Sequence, residues 1–441
     1  DAPKKNITSG GYTSAQQSSG RITRAAMYSI LAELYLWKAS DCNLDPAGQA
    51  DAYRKCVKCC DWVINYKREQ YKTEDFDGVT DMLKVIDSNI LAEYNIPLLA
   101  EEGGQSSGAS SAATKGGQAF EAIFNDGNSF ESIFEITYPK SSSANDPKNR
   151  AVSAMYGGYT SDTKSHSGRV HGNNNLLPSK ISNKVYDEKN LFSVTSDYRS
   201  VTSFAWSDGG TFPIAKYTAE ARSSNRNVGL SWTGLSESEM DYPSWNSQSM
   251  GWIFYRLTEI ILFRAEAEIE LAKLMTPEVE PEPTPDEEAT EEGAATRATI
   301  DDGEKLVTAE EYYADAFNLI RCVYDRSNPM YWKDKKNYVP TQEKYNTYDA
   351  MHKLLMDERR REFLFEAKRY FDLVREARRI GNTSAYVSAI SQKFGGASQA
   401  VKVKMGMMDF MFLPYHKDQI KVNPNLVQNP AYADEEDVIK N

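Results

Sequence analysis

The sequence predicts an all-α protein of tetratricopeptide-like helical hairpins with long irregular loops and minor β structure. Three observations carry this. Apolar residues return at steps of three and four in several separated segments, and those segments fall into consecutive pairs. Where the helical period lapses, the chain turns to Gly, Ser, Asn and Pro. At 441 residues the chain exceeds one ordinary core, so two lobes or one elongated body of repeating units are expected.

"SGRITRAAMYSILAELYLWKAS" opens the first pair, with Ser19 placed as a cap and Ala25, Ala26, Ile30, Leu31, Leu34 and Tyr35 at helical intervals. Residues 49–67 supply the antiparallel partner, in which Tyr53, Cys56, Val57, Cys60 and Ile64 share one face. A thiol on such a face is a small apolar filler. The five cysteines, Cys42, Cys56, Cys59, Cys60 and Cys322, form an odd set. No second Cys or His cluster completes a metal site around "CVKCC", so no metal is expected there. Residues 101–117 read as a low-complexity loop and "SFESIFEITYP" as a short strand. Residues 141–250 are irregular yet rich in aromatics, among them Tyr156, Tyr159, Trp206, Tyr217, Trp232, Tyr242 and Trp245. That is too aromatic for disorder, and ordered loops of this kind are where binding sites are built.

The helical period returns over 251–273, with Leu257, Ile260, Ile261, Phe263, Arg264 and Ala267 along the contact face. Thr308 begins the next helix, and Glu311 three places on completes a capping box. Residues 252–274 and 308–326 therefore form a second hairpin, interrupted by 276–305. That interruption holds eleven acids and two bases, a net −9, which leaves −12 − (−9) = −3 for the rest of the chain. Its prolines and mutually repelling carboxylates predict a disordered excursion with weak calcium attraction at most.

Helices over 348–366 and 367–380 supply a third pair. Within it, "RREFLFEAKRYFDLVREARR" puts Phe363, Leu364, Ala367, Tyr370, Phe371 and Val374 on one stripe to be buried. The charges are expected on the other faces, where Glu358, Glu362 and Glu366 meet Arg359, Arg360 and Arg361 at helical spacing. A phosphate-binding surface would gather cations without internal carboxylates, and a net charge of −12 also argues against nucleic acid as a partner. Nothing specifies acid–base work by those glutamates, so a solvated or ion-paired face is the expectation. No stretch approaches the roughly 18 consecutive apolar residues of a spanning helix. The chain starts at Asp1 with no secretory signal in view.

In their order along the chain, these pieces resemble one family. "GRITRAAMYSILAELYLW" resembles its first repeat helix, "ESIFEITY" its extended segment, and "YRLTEIILFRAEAEIEL" its helix ending in an Arg-Ala-Glu-Ala run. "DERRREFLFEAKRYFDLVRE" is similar to its Glu-Arg-Arg-x-Glu-Phe passage, and "MFLPYHKDQIKVNPNLVQNPAY" to its closing Asn-Pro-x-Leu-x-Gln-Asn-Pro-x-Tyr. The family is SusD/RagB, the outer-membrane nutrient-binding lipoproteins, and the resemblance runs from Gly20 to Tyr432. It implies a non-enzymatic protein held on the surface of a Gram-negative bacterium of the Bacteroidetes type by a lipidated N-terminal Cys. Such a protein caps a SusC-like TonB-dependent transporter and presents glycans, or in some members peptides. Arg369, Asp372 and Arg375 then belong to a family signature inside a packed helix pair. The family carries its lipidated Cys and further helices ahead of the "GRIT" segment, so that front is expected to lie outside this chain. Four regions follow: a linker over 1–19, a first repeat region over 20–140, the aromatic-rich loops over 141–250, and a C-terminal helical region over 251–441.

A glycan receptor needs aromatic faces for sugar C–H groups, with amides, carboxylates or guanidinium groups beside them for the hydroxyls. The best platforms are Trp206 with Asp208, Trp232, and Tyr242 with Trp245 and Asn246; Arg169, Asn173, Asn174 and Asn175 are candidate hydrogen bonders. Each aromatic would serve equally as the loops' own small core. A peptide receptor would rely instead on backbone hydrogen bonds and tolerant apolar pockets, and a pure scaffold on a helical-repeat groove. No nucleophile elbow, phosphate loop or dinucleotide fingerprint is present, so neither enzyme nor cofactor is expected. Asp208 or Asp241 beside Trp would imitate a glycosidase pair only with carboxyls about 5–9 Å apart.

Overall fold

The computed structural model describes residues 22–73, 96–99, 127–138, 251–275, 307–328, 340–391 and 398–433, with shorter stretches and single residues elsewhere. The chain divides into two compact units, residues 1–36 with 50–367, and residues 37–49 with 368–441.

Helix α1 spans Arg24–Ala39. Its cap is Thr23, whose Oγ1 accepts from the Ala26 amide at 3.1 Å, so the expected cap at Ser19 is replaced. The buried stripe is also rotated from the expected one. Ala26, Ser29, Ala32 and Leu36 are enclosed, whereas Leu34 is 56% exposed. Side chains this small let neighbouring backbone approach closely, and such packing favours the alanine face over the leucine face. Helix α2, Pro46–Thr73, places Tyr53, Cys56, Cys60 and Ile64 inside as expected. Tyr28 of α1 stacks on Trp62 of α2 at 4.3 Å between ring centroids. The thiols of Cys56, Cys59, Cys60 and Cys322 are buried, and Cys42 is exposed. Burial pushes Cys59 up to about 11 and Cys56 well above its ordinary value, so these thiols are packing groups rather than nucleophiles.

Two-residue ladders pair β1 (Ile7–Thr8) with β2 (Gly11–Tyr12), β4 (Gly158–Tyr159) with β5 (Arg169–Val170), and β6 (Glu220–Ala221) with β7 (Met240–Asp241). A longer antiparallel ladder joins β3 (Ser132–Ile136) to β8 (Trp252–Arg256), with Ser132 opposite Arg256 and Ile136 opposite Trp252. The strand expected at "SFESIFEITYP" is therefore present. The helix expected from residue 251 is not continuous, because its first turn is β8. Trp, Ile, Phe and Tyr in a row suit a pleated surface, and five residues are too few for period to separate strand from helix. Gly251 leaves room for the Glu135 carboxylate, since a Cβ there would collide with Glu135 Oε1 and lie 2.8 Å from the Ile136 carbonyl oxygen.

Helix α3 follows at Leu257–Met275 and is buried around nearly its whole circumference, well beyond the expected single face. It pairs with α4, Ala309–Ser327, as the second expected hairpin. The capping box is in place: Thr308 Oγ1 accepts from the Glu311 amide at 3.2 Å, and Glu311 Oε2 from the Thr308 amide at 2.8 Å. Helix α5, Tyr348–Glu362, packs on both α3 and α4. The acidic stretch 276–305 and the loop 101–117 lie outside the described residues.

Where α2, α3 and α4 meet, one guanidinium serves three carboxylates. Arg264 Nε lies 3.1 Å from both Asp61 Oδ1 and Glu268 Oε1, and its Nη2 lies 2.7 Å from Asp315 Oδ2. Burial raises the Glu268 carboxyl well above its usual range; Arg264 opposes this and Asp315 adds to it. The folded chain thus keeps a proton that the unfolded chain releases near the ordinary value of 4.5. The resulting stability is complete below that value and is lost as pH rises through the folded-state pKa. We expect a higher urea midpoint at pH 5 than at pH 7, and a Glu268→Gln variant that flattens the difference. An unchanged slope in that variant would assign the dependence elsewhere.

The second unit contains α6 (Arg369–Ile380), α7 (Ser384–Ser391), α8 (Ser398–Met405) and α9 (Lys417–Val422). Leu373, Val374, Ala377, Tyr386 and Met411 form its core, with Trp37 packed against them. Gly381 ends α6 at φ 68°, the left-handed conformation that lets its amide reach back to the Ala377 and Arg378 carbonyls. Arg375 donates to Asp372 at 2.8 Å with both side chains buried, which places that part of the family signature in the core as the resemblance implies. The closing "QNP" motif is also structural. Gln428 exchanges hydrogen bonds with the Tyr415 backbone at 2.9 and 3.0 Å, and Asn429 Nδ2 donates to the Asp409 and Phe412 carbonyls.

The continuous apolar stripe expected over 360–379 does not form. Helix α5 stops at Glu362, and Phe365 and Ala367 adopt φ of 63° and 59° before α6 begins. Ala367, Tyr370 and Phe371 consequently reach the surface, while Glu358, Arg359, Glu362, Glu366, Asp372 and Arg375 are buried.

Candidate functional site

Of these buried charges, Glu358, Glu362 and Glu366 belong to the most developed polar arrangement among the described residues. Three carboxylates recur at i, i+4 and i+8 in Glu358, Glu362 and Glu366, a spacing that isolated helices disfavour. Here other segments supply the cations. Arg256, at the end of β8, takes both Glu366 oxygens at 2.9 Å and Glu362 Oε1 at 2.6 Å. Arg326, in the last turn of α4, joins Glu362 Oε1 at 2.6 Å to Glu131 Oε1 at 2.8 Å. Arg199 grips Asp197 bidentately at 2.7 and 2.9 Å and reaches Glu358 at 2.5 Å and Glu362 at 3.1 Å. Lys216 donates to Glu366 Oε1 at 2.6 Å and to the Glu362 carbonyl at 3.1 Å.

Aromatic faces close the arrangement. Arg256 lies between the rings of Phe363 and Phe124 at 4.7 and 5.4 Å, Arg326 lies over Phe120 at 4.8 Å, and Lys216 over Phe124 at 4.3 Å. Burial alone would raise the Glu362 carboxyl, yet Arg326, Arg256 and Arg199 outweigh it and hold Glu362 far below the usual range. Glu366 is lowered in the same way by Arg256 and Lys216 against its burial. A general acid needs the opposite shift. The cluster therefore suits a scaffold joint; of the solvated or ion-paired face expected, the ion pairing is present, but the face is buried rather than solvated. Arg359 and Arg375 are enclosed, and Arg361 pairs with Glu358 at 2.8 Å, so these cations do not form a phosphate-binding surface.

The joint holds down part of the 141–250 region. Asp197, Arg199, Ser203, Ile214, Lys216 and Tyr217 are all buried. Tyr217 stacks on Trp252 at 5.3 Å and meets Phe124 edge-on at 5.0 Å, so this one of the loop aromatics is core. Arg169 lies in β5, its backbone opposite Tyr159, and Asp241 in β7 opposite Glu220. Trp206, Asp208, Trp232, Tyr242, Trp245, Asn246, Asn173, Asn174 and Asn175 lie outside the described residues. Among the described residues no group of His, Cys, Asp and Glu is arranged to hold a metal, and no helix is long and apolar enough to cross a membrane. Sequence reasoning missed Arg199, Lys216 and Arg256 as partners of the glutamates. The one available signal was the run of like charges at helical spacing, which leaves water or cations from elsewhere to neutralise them.

Comparison with known proteins gives the class. The model of the SusD family matches residues 62–432, most of the chain, and the chain belongs to that family. Its solved neighbours include surface glycan-binding protein A from Bacteroides thetaiotaomicron, at 15% identity and a TM-score of 0.44, covering 97% of this chain and 66% of that one. A SusD superfamily protein from Bacteroides fragilis is 14% identical with a TM-score of 0.46, covering 98% of this chain and 68% of the other. NanU from B. fragilis is 15% identical with a TM-score of 0.40, covering 93% and 64%. This chain thus spans about two thirds of the length of those proteins. No curated relative matches it.

Proposed function

We propose that the protein is a non-enzymatic glycan receptor of the bacterial outer surface. In this reading an N-terminal lipid outside this chain anchors it, and it delivers ligand to a SusC-like TonB-dependent transporter. Membership in the SusD family over residues 62–432 is the observation that carries the reading. The aromatic and amide side chains concentrated in 141–250 support glycan as the cargo, with Trp206, Asp208, Trp232, Tyr242, Trp245, Asn246, Arg169 and Asn174 as the contacting residues. Two of the similar solved structures carry the name surface glycan-binding protein.

Calorimetric titration against a panel of host and dietary oligosaccharides and a mixed-peptide pool tests this. Saccharide binding is expected, and joint replacement of Trp206, Trp232 and Trp245 by Ala should weaken it roughly 10- to 2,000-fold, at about 0.5–1.5 kcal/mol per stacked ring. Binding of peptides alone, untouched by the substitutions, would transfer the cargo to peptides. Silence from both with retention of the transporter in a pull-down would leave a scaffold.

A further inference from the structure

Among the described residues, the second unit carries most of the exposed large apolar side chains, and several of them gather on one closed loop. Gln428 ties the base of that loop, 415–428: its Nε2 donates to the Tyr415 carbonyl and its Oε1 accepts from the Tyr415 amide. Inside it, α9 starts at His416, whose Nδ1 accepts from the Asp418 amide, and ends at Asn423. The Asn423 side chain then accepts from the Asn425 amide at 3.1 Å, and its carbonyl from the Leu426 amide at 3.1 Å. A loop closed at its ends and hydrogen-bonded within is a built element.

Its apolar groups nonetheless face water. Val422 is 81% exposed, Val427 68% and Tyr415 50%; Leu413, next to the Phe412 carbonyl that Asn429 holds, is 83% exposed. The Gln428–Tyr415 tie brings the Val427 end of the loop to the Tyr415 end, so these groups are neighbours rather than scattered singly. A gathered apolar surface on a rigid element marks a contact with something else.

Charge and shape choose the partner. Residues 398–433 hold Lys402, Lys404, Lys417 and Lys421, all exposed, against Asp409 and Asp418, a net +2 in a chain of net −12. Lysines spread among aliphatic side chains complement a layer of phosphate above hydrocarbon. Residues 412–419 and 421–425 are exposed without a break, so the loop is convex. A protein would have to supply a pocket moulded to it, whereas fluid acyl chains close around an apolar tip of any shape.

We propose that Leu413 and the 415–428 loop form a docking surface for an anionic lipid bilayer. Leu413, Val422 and Val427 enter the boundary between headgroups and acyl chains, the Tyr415 ring lies at headgroup level, and Lys417 and Lys421 meet lipid phosphate. The surface stands on the geometry; that a bilayer lies within its reach rests on the outer-surface reading above.

The test is flotation of the full chain, carrying no lipid of its own, with vesicles of phosphatidylcholine alone and of phosphatidylcholine mixed equally with phosphatidylglycerol. Wild type should float with the mixed vesicles and stay unbound with the neutral ones. Lys417→Gln with Lys421→Gln should lower the partition coefficient about 25-fold, roughly fivefold per lysine. Leu413→Ser with Val422→Ser should lower it about tenfold or more. All four positions are exposed, so the variants keep the wild-type circular dichroism. No flotation of the wild type, or flotation that survives both pairs of substitutions, would overturn the proposal. So would a protein held by the wild type and released by the loop variants without any vesicle binding, which gives the loop to a protein partner. The oligosaccharide panel is titrated on the same samples and should be indifferent to the substitutions. Loop-dependent flotation without saccharide binding would sink the glycan reading and leave the lipid contact standing.

Discussion

Replacing Glu362 by Ala is expected to lower the unfolding free energy by about 3–5 kcal/mol, the loss typical of removing one partner from a buried ion pair. The carboxylate is fully enclosed and neutralises parts of Arg199, Arg256 and Arg326 together. Without it, these guanidinium groups share Asp197, Glu358, Glu366 and Glu131, and positive charge is left buried with fewer partners. Urea unfolding followed by far-UV circular dichroism measures the loss. A cost below about 1 kcal/mol would mean that the remaining carboxylates carry the load. Acid offers an independent check. Since Glu362 and Glu366 are held below their ordinary 4.5, their contribution is present above that value and is lost as pH falls through the folded-state pKa. This acid limb lies below the window assigned to Glu268, so the wild type should be most stable in mildly acidic solution, and Glu362→Ala should lose much of the acid limb.

Phe263→Ala is expected to cost about 3–5 kcal/mol, because α3 is packed on every side and the site cannot collapse around a missing ring. The ring is fully buried and lies 5.1 Å from the Arg359 guanidinium, which a second ring, Phe363, faces at 5.0 Å. The Glu259 carboxylate lies 4.0 Å from the same guanidinium, and the two aromatic faces form part of its environment. Phe263→Leu retains most of the volume and should cost about 1.5 kcal/mol or less from packing, plus the lost cation–ring attraction. If Ala and Leu prove equally costly, the ring–guanidinium contact dominates over the cavity; if both fall below about 1 kcal/mol, the neighbours close the space.

The parts of the fold that were legible in the sequence depend on local chemistry. The Thr308–Glu311 capping box needs only residues three apart, and the thiol-bearing face of α2 only the helical period. The strand at Ser132–Ile136 was likewise visible in its β-favouring residues. Errors arose where partners are distant in the chain. Trp252–Arg256 became a strand because β3, more than a hundred residues earlier, was there to pair with it. The leucine side of α1 yielded to the alanine side because close packing, rather than hydrophobicity alone, chose the buried face.

For the charged joint, the sequence by itself determined the helical spacing of Glu358, Glu362 and Glu366, the family motif containing two of them, and the class of protein that motif denotes. Only the tertiary structure decided that those carboxylates face inward. Carboxylates at i, i+4 and i+8 are written identically whether water or guanidinium neutralises them, and whether or not the helix reaches the third, which here lies beyond its end. The choice fell to Arg199, Lys216, Arg256 and Arg326, from segments 36 to 163 residues away from those of the three glutamates they meet. Burial became favourable only when all of them were brought to the same place, since each charge removed from water must find its partner there.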